Sequence, residues 1–214
     1  VDAERASTSE EKNNMKNTLA GLLLLTAIPS QAVEVSGNIG YTSDYKWRGM
    51  SQGNQPATSF GVDVTTDNGY YIGAWSSDVS FDDATRETDY YGGYSFNITE
   101  KVAADVGYIR YTYDGAVDSF EEMYLTVNNS WLSLEYYRDL DTENEYGQIG
   151  LALKFIPVVD VTFINGYTFY DSSFRMLNIS YPVTTDLSIH SLIGQDVFEG
   201  DSLTQASIGF TYLF

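Results

Sequence analysis

From Val33 to Phe214 the chain is a succession of short segments in which apolar and polar residues alternate, each closed by Gly, Asn, Asp or Pro. The segments fall at roughly 34–48, 57–66, 70–78, 86–97, 102–113, 120–128, 131–138, 145–155, 159–170, 174–182, 187–196 and 202–214. Alternation sends successive side chains to opposite faces of a strand, so each segment has one greasy face and one polar face. No apolar run in this stretch approaches the ~20 residues of a spanning helix, so a membrane protein of this kind would cross as strands. Twelve is an even number, which returns the last strand beside the first and lets a sheet close. The expected fold is all-β, a closed antiparallel transmembrane β-barrel of twelve strands.

Alternation alone does not distinguish a soluble sandwich, which buries its apolar face, from a barrel in lipid, which turns that face outward. The first segment illustrates the choice. Read with period two, it puts Ile39, Tyr41, Ser43, Tyr45 and Trp47 on one face and Asn38, Gly40, Thr42, Asp44, Lys46 and Arg48 on the other. The connections favour the barrel. They are tight after even-numbered segments (Asp67-Asn68-Gly69, Thr99-Glu100-Lys101, Asn129-Ser130, Ile156-Pro157-Val158, Thr184-Thr185-Asp186) and longer or more acidic at 78–85, 114–119 and 139–144. Short turns on one rim and longer loops on the other are the layout of an outer-membrane barrel. The last segment puts Ala206, Ile208, Phe210, Tyr212 and Phe214 on one face, and a chain stopping on this Phe resembles the C-terminal signal read by the bacterial barrel-assembly machinery.

Residues 15–32, MKNTLAGLLLLTAIPSQA, have a basic start, an apolar core from Leu19 to Ile28, and small residues after Pro29. This is the layout of a secretory signal peptide with cleavage expected after Ala32; the apolar run is too short for an anchor. Residues 1–14 are polar and read as an upstream leader, leaving 33–214 as the barrel. The formal net charge is -19, and residues 1–32 hold only three of the 11 basic and four of the 30 acidic residues, so the acidity belongs to the barrel. Nucleic acid is excluded as a partner, because phosphate binding needs clustered Lys and Arg. Without cysteine there is no disulfide, thiolate nucleophile or thiolate metal site.

The run SDYKWRGMSQ with Pro56, then FGVDV, GYYIGAW, ETDYYGGY, VGYIRYTYDG and EEMYL, resembles the TorF-type porins, the conserved outer-membrane family Gcw_chp. The similarity runs from Gly37 through Glu135 and more loosely to Phe214. The first motif is the specific one, and the rest is mostly barrel grammar. The family usually carries a shorter apolar residue at the position of Trp47. The resemblance implies an outer-membrane pore and brings no substrate with it.

Assigning the aliphatic and aromatic parity to lipid leaves Asp44, Lys46, Arg48, Asp63, Glu87, Asp89, Asp105, Glu122, Glu135, Gln148, Lys154, Asn178, His190 and Gln205 inside. The third and fifth segments are ambiguous, since Tyr71/Gly73/Trp75 and Tyr70/Ile72/Ala74 could each face lipid and Asp105 and Arg110 have opposite parity. Two readings of the charges stay open. Lys46 and Arg48 pair with Glu87, Asp89 or Glu122 and plug a structural or surface-interaction barrel, or they form a constriction in a water-filled, cation-preferring path for small hydrophilic solutes and ions. The acidic loops lack the EF-hand spacing and read as a solvated rim, with divalent ions bridging them loosely to lipopolysaccharide. An enzyme is not expected. His190 is the only histidine, and Ser188 on the same face is about 6 to 7 Å along the strand, too far for a nucleophile–base pair. No cofactor is implied.

Overall fold

The computed structural model describes residues 32–167, 172–198 and 201–214; the leader and signal-peptide assignments to 1–14 and 15–32 lie outside the described residues, but for Ala32. The strands are β1 (Val33–Thr42), β2 (Lys46–Trp47), β3 (Met50–Ser51), β4 (Ala57–Thr66), β5 (Tyr70–Phe81), β6 (Ala84–Thr99) and β7 (Val102–Tyr113). They continue as β8 (Phe120–Asn128), β9 (Leu132–Asp139), β10 (Glu145–Ala152), β11 (Asp160–Tyr167), β12 (Ser173–Pro182), β13 (Leu187–Phe198) and β14 (Asp201–Leu213). Twelve of them close a barrel in which each pairs antiparallel with its chain neighbours and β1 pairs with both β4 and β14. The seam is completed by reciprocal backbone bonds between Gly37 and Phe214, at 2.7 and 2.9 Å.

The outer wall is apolar. Phe60, Ile72, Met123 and Ile208 each leave more than half of their surface exposed. The Tyr70 and Tyr94 rings pack in a tilted pair with centroids 4.7 Å apart, and with Phe96, Trp131, Phe155, Tyr212 and Phe214 they crowd the outer surface near the short-turn rim. An apolar band edged by aromatic residues is what a lipid-facing barrel presents. The two ambiguous segments resolve in register. Tyr70 and Ile72 are exposed outside while the Tyr71 hydroxyl reaches Asp105 and Trp75 meets Tyr45 within the lumen, and Arg110 sits outside with Glu121.

Five expectations fail. β1 ends at Thr42 rather than at 48, because the chain bends at Ser43 and Asp44 and turns into the lumen. Tyr45 and Trp47 therefore face inward instead of lipid. The β5–β6 connection is the two residues Asp82 and Asp83, with Asp82 at φ 50°, rather than a loop over 78–85, since both strands extend into a protruding hairpin. The β10–β11 connection spans 153–159 and is not tight. Lys154 consequently lies beyond its strand and is exposed instead of lining the lumen.

Candidate functional site

The lumen is organised by what β1 turns into. Past Ser43, whose N–H donates to the Ile208 carbonyl at 2.8 Å, the chain forms a small hairpin in which Lys46 opposes Ser51 and Trp47 opposes Met50. Its turn is Arg48-Gly49, with φ of 47° and 86°. Two successive positive φ values are the signature of the two-residue hairpin turn whose twist matches its strands. Glycine adopts that region freely, whereas arginine does so at a strain of about 1–3 kcal/mol that surrounding contacts must hold. A Cβ on Gly49 would also fall 2.6 Å from the Phe174 side chain, so the turn lies hard against β12.

Those holding contacts are dense. The Arg48 guanidinium makes a bidentate pair with Glu122 at 2.7 and 2.6 Å, and both side chains are more than nine-tenths buried. It also lies over the rings of Trp47, Tyr137 and Tyr146, 4.3, 4.6 and 4.0 Å from their centroids. The Tyr111 hydroxyl donates to Glu122 at 3.0 Å, and Trp47 packs edge-on against Tyr111 and Phe120. On the other flank the Tyr45 hydroxyl donates to Glu87 at 3.0 Å, and Lys46 donates to Asp44 and Gln205. The hairpin thus reaches wall side chains on β5, β6, β7, β8, β9, β10, β12 and β14. Its remaining backbone tie runs from Ser80 N–H to the Gln52 carbonyl at 2.7 Å.

Of the residues assigned inward from sequence, Arg48 and Glu122 meet directly. Glu87 and Asp89 are buried beside Tyr45 but take no cation, and Lys46 pairs with Asp44 instead. Asp63 and Asp105 lie toward the short-turn rim and accept from the Tyr91 and Tyr71 hydroxyls, each at 2.6 Å. Glu135 and Gln148 line a cavity of about 250 Å³ with Lys46, Arg48 and Tyr137. His190 borders another of about 360 Å³ with Asp44, Tyr45, Asn178 and Ser207. Among the described residues no side-chain hydrogen bond joins the His190 imidazole to a serine or a carboxylate. Among the described residues, no group of three or more acidic or histidine side chains is placed to hold a metal ion together.

The rim carboxylates act locally. Asp114 accepts from the Thr85 hydroxyl and from the backbone N–H groups of Thr85 (2.6 Å) and Arg86 (2.7 Å), and these bonds hold its carboxyl below its ordinary range. Asp83 receives the Ala116 N–H, and Asp139 caps the turn at Asp141 and Thr142. Sequence reasoning missed the inward tyrosines, among them Tyr45, Tyr111, Tyr137 and Tyr146. The available signal was the doublets Tyr70-Tyr71, Tyr90-Tyr91 and Tyr136-Tyr137, since adjacent residues of a strand cannot share a face.

A closed barrel with an apolar exterior and a charged, tyrosine-lined interior narrowed by an inward hairpin has the architecture of a porin. A KdgM porin in complex with disordered oligogalacturonate superposes with a TM-score of 0.64 at 13% identity, covering 84% of this chain and 99% of that one. A second KdgM porin structure gives 0.62 at 12% identity with the same coverage, and a NanC porin gives 0.50 at 12% identity over 84% and 98%. At these identities the likeness is one of fold. No curated protein sequence matches the chain. The family described as "Bacterial protein of unknown function (Gcw_chp)" matches residues 26–212, and the chain belongs to it.

Proposed function

We propose that this protein is an outer-membrane channel of the TorF-type porin class that passes small hydrophilic solutes by diffusion and prefers cations. The observation that carries the reading is the sign of the lumen. Among the described residues, Asp63, Glu87, Asp89, Asp105 and Glu135 project into it without a Lys or Arg partner, and Lys46 and Arg48 of the hairpin are each neutralised by a carboxylate. A passage walled by unpaired carboxylates raises the local concentration of cations. The same field disfavours a polyanion, so the oligogalacturonate named with the KdgM porin is a poor substrate expectation here. Export through a signal peptide cleaved after Ala32, contact of the outer wall with outer-membrane lipid and lipopolysaccharide, and delivery to the barrel-assembly machinery through Phe214 complete the proposal.

The test is single-channel recording of residues 33–214 in a planar bilayer under a KCl gradient. Discrete steps with a cation-selective reversal potential support the channel, and anion selectivity overturns the role given to the carboxylates. The hairpin favours a second reading, a non-conducting structural or surface-interaction barrel, because its side chains contact the wall on many sides. Silence from a demonstrably folded, inserted barrel would select that reading.

A further inference from the structure

Glu87 and Asp89 stand two residues apart on the lumen side of β6, 1% and 6% exposed. Glu122, the other deeply buried wall carboxylate, is neutralised by Arg48. These two are not, because Lys46 is committed to Asp44 and Gln205, and among the described residues no Lys, Arg or His pairs with either. Glu87 accepts the Tyr45 hydroxyl, while the buried Oδ1 of Asp89 has no hydrogen-bond partner. An orphaned buried acceptor is uncommon in folded proteins, and here it sits next to a second negative charge.

The surrounding donors are oxygen. Across the ladder from Glu87 are the Ser77 hydroxyl and Tyr113, and no sulfur or imidazole joins them. Asp89 is flanked in register by Trp75 and Tyr111, so aromatic residues stand beside it on both neighbouring strands. Two carboxylates balance a double positive charge, and an all-oxygen set suits a hard cation. We propose that Glu87 and Asp89 bind one divalent cation of the calcium or magnesium type within the lumen. The inference deepens the channel reading and rests on it in one respect, that the ion arrives through the lumen.

Terbium(III) serves as the probe, on the whole barrel refolded in detergent, with emission sensitised through the nearby Trp75 and Tyr45. Saturable emission displaced by calcium is expected, with binding at least tenfold weaker in Asp89→Asn and unchanged in Asp114→Asn, whose carboxylate lies on the rim and is held by Thr85 and Arg86. Glu87→Gln provides a second variant, read the same way. Equal binding by Asp89→Asn or Glu87→Gln and the parent overturns the proposal, as does absence of emission from a barrel whose heat-shifted gel mobility proves it folded. Emission from a barrel that carries no current would keep the site and remove the channel; current without emission would do the reverse.

Discussion

Glu122→Gln isolates the contact that holds the hairpin across the lumen. Removing one partner of a buried ion pair typically costs about 3–5 kcal/mol. The amide keeps one acceptor for the guanidinium, and the rings of Trp47, Tyr137 and Tyr146 keep their cation–π contacts, so the net loss should be about 2–3 kcal/mol. Strain at the Arg48 φ of 47° acts in the same direction, since the contacts that imposed it are weakened. The cost falls on hairpin docking rather than on the barrel, whose strands are joined by their own backbone ladders. At about 1.4 kcal/mol per factor of ten, the ratio of docked to undocked hairpin should fall roughly 30- to 140-fold. Single-channel records should then show a larger share of time at a higher conductance level, while the temperature of the heat-induced gel shift stays at the parent value. Glu135→Gln, which lines the adjoining cavity without pairing to Arg48, should leave the share of time at the higher conductance level unchanged. Parent-like records from Glu122→Gln, or a lowered barrel melting temperature, would refute the reasoning.

Gly49→Ala places a Cβ against Phe174 at a φ of 86°, so it should weaken hairpin docking by about 1–3 kcal/mol and raise conductance in the same assay. Asp114 has its carboxyl pKa lowered by hydrogen bonds, so the stability it lends is present above its unfolded pKa and lost as pH falls through the folded value. The amide protection factors of Thr85 and Arg86, taken relative to the intrinsic exchange rate at each pH, should fall over that acidic window, and Asp114→Asn should remove that fall. Deleting Phe214 removes both backbone bonds to Gly37 and should slow assembly of the barrel in membranes, read as a delayed appearance of the heat-shifted band.

Much of this architecture is legible in the sequence because a strand's period of two is rigid. Once Leu125 and Met123 are assigned to lipid, Glu122 has to point inward, and the same argument places Asp63, Glu87 and Asp89. The rule fails where the chain leaves the sheet. Alternation continues without a break from Ile39 through Trp47, but the bend at Ser43 and Asp44 moves the later residues into the lumen, where both faces of a hairpin meet protein. Its aromatic parity then packs on Tyr111, Phe120 and Trp75 instead of lipid. Tyrosine blurs the assignment further, since its ring suits an apolar wall and its hydroxyl satisfies a carboxylate, as at Tyr71 with Asp105. Lys154 keeps the inward parity of Gln148 yet falls in a connection, where parity has no meaning.

The hairpin and the barrel are held by different forces, and this makes them separable. β1 is joined to β4 in unbroken register from Val33 opposite Thr66 to Thr42 opposite Ala57, and every other barrel strand has two antiparallel neighbours. The hairpin is held mainly by side chains, with backbone ties only at Ser43 and Ser80. Because Thr42 and Ala57 are directly opposed, residues 43–56 can be replaced by Asn-Gly, whose two-residue turn closes such a pair. The shortened chain should still fold, judged by its heat-shifted mobility. Removing 43–56 also takes away Lys46 and Arg48 with one carboxylate, Asp44, a net loss of one positive charge from the lumen, while Glu87, Asp89, Glu122 and Glu135 remain. Conductance should therefore rise and the reversal potential should move toward the ideal cation value, beyond the shift seen for Glu122→Gln, which sheds a carboxylate and keeps the arginine. Failure of the shortened chain to form a barrel, when Glu122→Gln forms one, would mean that the hairpin is part of the folding core and that its side-chain contacts carry stability the ladders do not supply.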